Sequence, residues 1–388
     1  MTYRVLLLSQ FSPLGLERFP SDRYEIGAAI DRPDAILVRS HDMHAMEIPD
    51  SVMAVGRAGI GVDNIPVAAL SRRGIPVFNT PGANANAVKE LVVAGLFLAA
   101  RNITRAWDFV RRLDGDATAV SRAVESSKKQ FVGFELAGRT LGVVGLGAIG
   151  VEVANAASKL GMRVIGFDPA ISVPRARQLS SDVQQAGSLD TLFIDSDIVT
   201  LHVPLADDTR GMIGAKRLGL LREGGVLLNF ARGQLVDEDA VLAALESGRL
   251  SAYVTDFPAP VLKDHPSVIA LPHIGASTTE AEASSVMMAV DQLRDFLEDG
   301  VIRHSVNFPD AVLNRGAGSR IAIANANVPG VVGHISMVLA DAGLNIAEMF
   351  NGSRGEFAYT LVDVEGTAPP EVFRRLCGIE GVLSARLL

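Results

Sequence analysis

Short runs of apolar residues alternate along most of this chain with longer segments in which apolar residues recur every three to four positions. The short runs predict buried strands, and the periodic segments predict helices. The predicted strands are residues 4–9, 35–38, 52–54 and 77–79 in a first series, and residues 140–144, 163–167, 198–202, 226–229, 252–256 and 268–270 in a second. Strands that alternate with helices predict an α/β fold with two doubly wound, Rossmann-like parallel sheets.

The same pattern predicts long helices over residues 85–112 and 278–298, and a Gly-, Pro- and Asn-rich linker over residues 305–318. Beyond the linker the order of elements changes. The elements predicted there are a strand at 320–326, a helix at 330–342, strands at 346–351 and 358–364, a helix at 370–377 and a strand at 382–387. This βαββαβ order is typical of a small ferredoxin-like domain.

Composition and charge restrict the classes of partner. The 388 residues include 36 Lys and Arg against 44 Asp and Glu, a net charge of −8, so no overall positive field would attract nucleic acid or an anionic membrane. The single cysteine, Cys377, excludes an intramolecular disulfide, and the seven histidines have no zinc-like spacing, so no metal is predicted. The most apolar stretch, residues 91–100, is half as long as the roughly 20 residues that a bilayer requires. We expect a cytoplasmic protein.

A glycine-rich turn is the first motif that indicates a binding site. Three glycines follow the predicted strand 140–144 and begin a helix. The first glycine permits a tight turn, the second lets the backbone approach a pyrophosphate, and the third permits close packing of helix on strand. The amides of the helix N-terminus would face the phosphate. The predicted cofactor-binding residues of this turn are Gly145, Gly147, Ala148, Ile149 and Gly150.

An acidic residue, Asp168, closes the next predicted strand, 18 residues after Gly150. A carboxylate at this place accepts hydrogen bonds from ribose hydroxyls and repels a 2′-phosphate. We therefore predict NAD, and not NADP, as the cofactor.

Four further segments resemble motifs of the D-isomer-specific 2-hydroxyacid dehydrogenase family, namely residues 55–64, 78–84, 229–238 and 272–278. The C-terminal segment, which contains Asn-Val-Pro-Gly ending at Gly330 and Gly-Leu-Asn-Ile ending at Ile346, resembles an ACT amino-acid-sensing domain. These resemblances together cover essentially the whole chain. They imply a discontinuous substrate-binding domain (1–84 with 276–304), an NAD-binding domain (85–275), the linker 305–318 and a regulatory domain (319–388).

The resemblance implies that His273 and Arg232 are the catalytic residues. Histidine suits the transfer of the hydroxyl proton because it titrates near neutral pH. An arginine fork holds a carboxylate in two hydrogen bonds and stabilises negative charge on the reacting oxygen. The family also has a glutamate that pairs with the histidine, but residues 256–266 contain no Glu. Asp264 would have to fold back to replace it.

Further site residues follow from the resemblance or from local chemistry. We expect Asp256 to bond the nicotinamide carboxamide and the loop after the strand 198–202 to line the adenosine. The remaining cofactor residues predicted are His202, Pro204, Thr209 and Ala231. The anionic ends of a phosphorylated substrate require cations, a polar turn or an amide. The residues predicted for them are Arg39, Ser40, Arg57, Gly59, Asn84 and Lys89.

In the C-terminal domain the resemblance implies an effector site made by Asn325, Asn327 and Asn345 at the edge between two paired domains. Asn325 replaces a histidine of the serine-inhibited relatives, yet it still donates and accepts hydrogen bonds to an amino acid. L-serine is the predicted effector. The alternative is a dimerising domain that binds no ligand.

Three functions are compatible with these features. The first is NAD-dependent oxidation of 3-phospho-D-glycerate to 3-phosphohydroxypyruvate, the first step of phosphorylated L-serine biosynthesis. The second is oxidation of another D-2-hydroxy acid, and the third is an NAD-sensing regulatory protein. The ACT-like segment and the cationic residues predicted to bind phosphate favour the oxidation of 3-phospho-D-glycerate. The resemblance also implies a homodimer or a homotetramer.

Overall fold

The computed structural model describes residues 2–388. Its strands are β1 (Tyr3–Leu7), β2 (Tyr24–Gly27), β3 (Ala35–Val38), β4 (Ala54–Arg57), β5 (Val77–Phe78), β6 (Thr140–Val144), β7 (Arg163–Phe167), β8 (Val183–Gln185), β9 (Ile198–Leu201), β10 (Gly225–Asn229), β11 (Leu250–Thr255), β12 (Val268–Ala270), β13 (Ser319–Ala326), β14 (Ile346–Arg354), β15 (Phe357–Val364) and β16 (Val382–Leu387).

Its α-helices are α1 (Pro13–Leu16), α2 (Val67–Arg72), α3 (Ala85–Ala100), α4 (Ile103–Arg111), α5 (Ala117–Ser127), α6 (Ala148–Lys159), α7 (Val173–Ala176), α8 (Leu189–Asp195), α9 (Ala215–Leu220), α10 (Glu238–Glu246), α11 (Thr279–Asp299), α12 (Val331–Asp341) and α13 (Pro370–Cys377). Short 3₁₀ helices occupy Lys128–Phe131 and Gly233–Leu235.

The segment Asn84–Thr278 is one compact unit, built on a parallel sheet of seven strands in the order β12-β11-β10-β9-β6-β7-β8. Strands β6, β9 and β10 are buried along their whole length, because packed apolar side chains cover both faces of the sheet. A parallel sheet covered on both faces explains why these strands appear in the sequence as continuous apolar runs.

The other unit comprises the chain up to Ala83 together with Thr279–Leu388. It contains a parallel five-stranded sheet in the order β2-β1-β3-β4-β5. Helix α11 packs on this sheet, with Leu293 fully buried in the same apolar cluster as Val5 and Leu37. The two predicted parallel sheets of the α/β fold are therefore both present.

The C-terminal residues of this second unit form an antiparallel sheet in the order β14-β15-β13-β16, with the βαββαβ order predicted from the sequence. One face, which includes Ile323 and Val362, packs on helices α12 and α13. The opposite face, which includes Tyr359 and Leu361, packs in the cluster that contains Phe296 of α11. Protein therefore covers both faces of this small sheet.

A buried arginine fixes the antiparallel sheet to the end of α11. Arg320 is 1% exposed and donates two hydrogen bonds of 2.7 Å to the two carboxylate oxygens of Asp363. Its other donors reach the carbonyl oxygens of Asp299 (3.2 Å), Leu313 (3.0 Å) and Asn314 (2.8 Å). The guanidinium holds the pKa of Asp363 below its ordinary value. One side chain thus ties β13 and β15 to α11 and to the segment before β13.

The structure corrects the predicted helix over residues 85–112. Asn102 has φ of +51°, so the chain turns there, and α3 and α4 are separate helices. The carbonyl oxygen of Ala100 accepts a hydrogen bond from the amide of Phe134 (2.9 Å). The turn therefore lets a later segment bond to the end of α3.

Two short strands, β2 and β8, lie where the sequence predicted none, and β4 begins at Ala54 where the prediction ended. β2 and β8 are both edge strands with exposed residues, so neither shows the continuous apolar run of a central strand. No helix in residues 2–388 is both long and apolar enough to cross a bilayer.

We expect Asp363→Ala to destabilise the protein by about 3–5 kcal/mol, because Arg320 would keep a buried charge with no carboxylate. Urea or thermal unfolding would measure the loss. Arg374→Gln is the matched control, since it breaks an exposed ion pair with Glu371 and should cost less than about 1 kcal/mol. Equal losses in the two variants would contradict this account of Arg320.

Candidate active site

The glycine turn between β6 and α6 has the backbone that the motif predicts. Gly145 has φ of +91°, and a Cβ there would lie 2.6 Å from the carbonyl oxygen of His202. A Cβ at Gly150 would overlap the carbonyl oxygen of Gly145. Around Gly147, in contrast, a built Cβ would have no atom within 4 Å from any described residue other than its immediate neighbours in the chain. The first and third glycines therefore serve internal packing, and the second borders open space at the N-terminus of α6.

Asp168, directly after β7, stabilises this turn through hydrogen bonds. One carboxylate oxygen accepts a hydrogen bond from the amide of Leu146 (2.8 Å), and the other accepts one from the amide of Ala170 (2.9 Å). Each oxygen keeps a second lone pair, as a ligand hydroxyl would require. The geometry fits a nucleotide with free ribose hydroxyls.

Strands β6 and β9 are neighbours, and the sheet continues through β7 on one side and through β10 on the other. Such a switch point is where open α/β sheets bind ligands, outside the carboxyl ends of the strands. Gly145 follows β6 and His202 follows β9, and the amide of His202 donates to the carbonyl oxygen of Val144 (2.7 Å). The structure thus brings these two predicted cofactor residues together.

Hydrogen bonds from its own side chains to its backbone stabilise the loop after β9. The hydroxyl of Thr209 donates to the carbonyl oxygen of Pro204 (2.7 Å) and accepts from the amide of Ala206 (2.8 Å). The Nε2 atom of His202 lies 3.0 Å from the hydroxyl of Thr200. Burial lowers the pKa of His202 to about 3, so this imidazole is neutral at physiological pH.

Arg232 follows β10 and begins the 3₁₀ helix Gly233–Leu235. Its guanidinium donates to the carbonyl oxygen of Ala231 (2.7 Å), and it forms no ion pair within residues 2–388. The buried side chain of Asn229 holds the loop, because it donates to the carbonyl oxygen of Arg232 (2.9 Å) and accepts from the amide of Ala231 (3.2 Å). No role was predicted for Asn229, although its position as the last residue of the predicted strand 226–229 is visible in the sequence.

Asp256 follows β11 and is fully buried, whereas His273 is exposed. One carboxylate oxygen of Asp256 accepts the amide hydrogen of Gly275 (3.0 Å). The rings of Phe257 and His273 have their centroids 4.6 Å apart. The aromatic contact, which the sequence did not reveal, restricts the orientation of the imidazole.

In the other unit, β3 and β4 are adjacent, with Val38 opposite Arg57. Arg39 therefore lies beside Arg57 at the carboxyl edge of that sheet. Arg39 forms an ion pair of 2.7 Å with Glu282 of α11, a partner that the sequence did not predict. The guanidinium of Arg57 lies over Gly59, whose φ is +146°, so a side chain at position 59 would collide with it. Ser40 follows Arg39 and is exposed.

The two remaining residues predicted to bind substrate, Asn84 and Lys89, belong to the unit Asn84–Thr278. Asn84 precedes α3, and its side-chain oxygen is buried with no hydrogen-bond partner in residues 2–388. Lys89 donates to the side chain of Asn86. Asn84 is thus the member of this pair with an unused acceptor.

The three predicted effector residues do not cluster within one chain. Asn325 is 2% exposed on β13, and Asn327 donates to the carbonyl oxygen of Gly355 (3.0 Å) at the same end of the sheet. Asn345 precedes β14, whose first residue is level with Ser319 at the opposite end. Six strand residues separate these ends, about 20 Å.

A cavity of about 440 Å³ opens at the amino ends of β6, β9, β10 and β11. Its lining includes Arg139, Asp197 and Gly225, which precede or begin these strands. The cavity therefore lies at the opposite edge of the sheet from Gly145, His202 and Asp256.

Comparison with known proteins agrees with this geometry. Residues 93–275 match the family model described as "D-isomer specific 2-hydroxyacid dehydrogenase, NAD binding domain". D-3-phosphoglycerate dehydrogenase of Haemophilus influenzae is 31% identical over 355 residues, which make up 88% of this chain and 83% of the relative. The chain belongs to the D-isomer-specific 2-hydroxyacid dehydrogenase family.

Two further proteins are similar to this chain. D-3-phosphoglycerate dehydrogenase of Methanocaldococcus jannaschii is 34% identical over 349 residues, 88% of this chain, although the chain spans only 63% of that relative. The crystal structure of NAD⁺-bound 3-phosphoglycerate dehydrogenase from Entamoeba histolytica aligns with a TM-score of 0.61 at 24% identity. It covers 79% of this chain and 99% of its own, and at this identity it supports the fold.

We expect Gly147→Ala to weaken NADH binding at least tenfold without lowering the melting temperature, because its Cβ enters open space where the motif places a pyrophosphate. Gly150→Ala is the contrasting variant and should lower the melting temperature, because its Cβ overlaps the carbonyl oxygen of Gly145. Fluorescence titration with NADH and thermal melts measure both effects. Unchanged NADH affinity in Gly147→Ala would contradict the assignment.

The neutral His202 makes stability depend on pH. Its folded pKa of about 3 lies below the unfolded value near 6.5, so the unfolded chain binds the extra proton and stability falls as pH decreases from 6.5. At pH 4.5 the cost is about 3 kcal/mol. We expect His202→Gln to lose less stability than the parent protein between pH 7 and pH 4.5 in urea unfolding. Parallel losses would refute a depressed pKa.

Proposed function

We propose that this chain is an NAD-dependent D-3-phosphoglycerate dehydrogenase, which oxidises 3-phospho-D-glycerate to 3-phosphohydroxypyruvate in phosphorylated L-serine biosynthesis. The observation that carries the proposal is that the glycine turn, Asp168, Arg232 and His273 all follow the carboxyl ends of strands of one parallel sheet. Relatives named D-3-phosphoglycerate dehydrogenase at 31–35% identity support the substrate. A cytoplasmic location is part of the same proposal.

The residues present fit a bound dinucleotide, because Gly147 borders open space and Asp168 retains acceptor capacity. We assign Gly145–Gly150 to the pyrophosphate, Asp168 to the ribose, and the loop with His202, Pro204 and Thr209 to the adenosine. When bound, NAD⁺ supplies the hydride acceptor.

Two protein side chains then accept the proton and stabilise the negative charge that develops in the reaction. His273 accepts the proton of the C2 hydroxyl while the C2–H bond breaks. Arg232, whose charge no carboxylate neutralises in residues 2–388, binds the substrate carboxylate and stabilises negative charge on the C2 oxygen. Asn229 holds the Arg232 loop in place.

The phosphate end requires further cations, which we assign to Arg39 and Arg57. Arg39 follows β3 and Arg57 ends the adjacent strand β4, so both cations belong to the same edge of that sheet. A substrate phosphate would compete with Glu282 for Arg39, and a dianion is better able than a monoanionic carboxylate to win that competition. This competition favours the phosphorylated substrate over unphosphorylated hydroxy acids.

We propose that the antiparallel sheet is an ACT domain that binds L-serine between two copies of the chain. The strand β14 is an edge strand, so its outer hydrogen-bonding groups are available for pairing. If two copies pair antiparallel along β14, the Asn345 end of one meets the Asn327 end of the other. Pairing would therefore bring together residues that one chain separates by about 20 Å.

We further propose a homo-oligomer that buries α4 and α5. Neither helix has a buried residue in this chain. Large apolar side chains of α4 are exposed, namely Trp107 (59%), Val110 (51%) and Ile103 (44%). An exposed apolar face of this kind is typical of a contact surface, and with the β14 edge it would give a dimer or a tetramer.

The testing experiment measures NADH oxidation with phosphohydroxypyruvate, pyruvate, hydroxypyruvate and 2-oxoglutarate, each with and without L-serine. We expect turnover to be fastest with phosphohydroxypyruvate. Arg39→Gln should raise KM for that substrate about tenfold and leave KM for pyruvate unchanged, while His273→Gln should lower kcat by about 10²–10⁴.

Arg18→Gln is the control, because Arg18 is an exposed arginine of the same unit that pairs with Asp291. It should leave KM unchanged. Faster turnover of another keto acid would preserve the catalytic residues and reject the substrate. Tight NADH binding without any turnover would favour a regulatory protein.

A further inference from the structure

The turn Gly59–Gly61 lies at the carboxyl edge of the parallel five-stranded sheet. It follows β4, and Asn79 and Thr80 follow β5, which is the adjacent strand. The guanidinium of Arg57 lies over Gly59, where it would collide with a side chain. Open α/β sheets bind their ligands outside this edge. The turn therefore places backbone groups beside a cation where a ligand is expected.

Two carbonyl oxygens of this turn are held by the segment after β5. The carbonyl oxygen of Gly59 accepts the amide hydrogen of Thr80 (3.0 Å), and that of Ile60 accepts a hydrogen bond from the side-chain amide of Asn79 (2.8 Å). The backbone amides of Ile60 and Gly61, in contrast, donate to no acceptor in residues 2–388. The turn thus has its acceptors occupied and two donors unused.

The planar peptide bond connects these two observations, because N–H and C=O of a trans peptide point in nearly opposite directions. The carbonyl group of Gly59 shares a peptide with the amide of Ile60, and the carbonyl group of Ile60 shares one with the amide of Gly61. Hydrogen bonds that fix both carbonyl groups toward the segment after β5 therefore aim both amide hydrogens away from it. Successive amides with a common direction form an anion-binding concavity.

Gln292 of α11 fixes the first peptide of this arrangement. Its Nε2 atom donates to the carbonyl oxygen of Asn79 (2.9 Å), which shares a peptide with the amide of Thr80. Hydrogen bonds therefore run from Gln292 through peptide 79–80 and peptide 59–60 to the amide of Ile60. Bonds in such a chain polarise one another, so the last amide becomes a better donor.

Packing alone does not explain an amide side chain at position 292. Gln292 is 5% exposed, and its Oε1 atom is buried with no hydrogen-bond partner in residues 2–388. A buried acceptor without a donor costs free energy, which an apolar side chain of similar length would avoid. The next residue, Leu293, is fully buried, and a Cβ at Gly56 would lie 3.0 Å from it. The close approach of α11 to β4 fixes the backbone from which Gln292 donates.

We propose that Gln292 and Asn79 are positioning residues that aim the amides of Ile60 and Gly61 at an anionic oxygen of the substrate. Gln292 acts through peptide 79–80, and the side chain of Asn79 acts directly on the carbonyl group of Ile60. The inference rests on the proposed function for the identity of the substrate. It assigns a role in substrate binding to a buried residue of α11.

Gln292→Met removes the donor and keeps the length of the side chain. The amides bind an anionic group that does not change during the reaction, so we expect KM for the keto acid to rise about three- to tenfold, with kcat and KM for NADH unchanged. Steady-state kinetics with phosphohydroxypyruvate and with hydroxypyruvate measure the change. A rise with both substrates identifies their carboxylate as the ligand, and a rise with phosphohydroxypyruvate alone identifies the phosphate.

Arg294→Met is the matched control, because Arg294 also lies on α11 and donates to a backbone carbonyl oxygen, that of Arg18 (2.9 Å). It should leave every KM unchanged. An unchanged KM in Gln292→Met, a fall in kcat alone, or an equal rise in the control would overturn the inference. If Gln292→Met fails to fold by circular dichroism, Asn79→Ala replaces it, since it removes the donor to Ile60.

If no keto acid is reduced, the proposed function fails, and inorganic phosphate becomes the probe. Hydrogen–deuterium exchange then reports on the amides of Ile60 and Gly61 in the whole protein. We expect phosphate to slow their exchange in the parent protein, and Gln292→Met to require about three- to tenfold more phosphate for the same effect. Exchange that phosphate does not slow in the parent protein, or equal phosphate requirements, would overturn the inference.

Discussion

The candidate site depends on one backbone constraint, the close approach of the turn after β6 to the end of β9. A Cβ at Gly145 would lie 2.6 Å from the carbonyl oxygen of His202, and one at Gly150 would overlap Gly145. Because both positions lack a side chain, α6 begins directly at the carboxyl edge of the sheet. The groups that follow the neighbouring parallel strands reach the same edge. The residues proposed for cofactor binding and for acid–base chemistry therefore lie at one edge of the sheet.

Strand positions and strand ends were predictable where apolar runs were continuous. The bounds of β6, β7 and β12 agree with the prediction, and these strands place Gly145 and Asp168. The predicted helix over residues 85–112 was wrong because helix propensity does not reveal the turn at Asn102, which a hydrogen bond from Phe134 accompanies. A tertiary contact from a distant segment decides such a boundary.

The partners of the site residues were not predictable for the same reason. Glu282 meets Arg39 only because α11 returns to the first sheet, and Gly275 meets Asp256 only because β12 pairs with β11. The sequence showed that a glutamate was missing, but it gave no distance between the remaining carboxylates and His273. The motifs in the sequence indicated which residues belong to the candidate site. Which groups neutralise their charges could be seen only in the folded chain.

The antiparallel sheet is covered on both faces, and this has a consequence for how the C-terminal segment can change. Tyr359 donates its hydroxyl hydrogen to the carbonyl oxygen of Gly300 (2.8 Å), and Leu361 and Ala322 share an apolar cluster with Phe296. A fragment of residues 319–388 would expose this apolar face to water. The segment is therefore not interchangeable between proteins: substitutions on its inner face must be matched by substitutions on α11, and the two segments should evolve together.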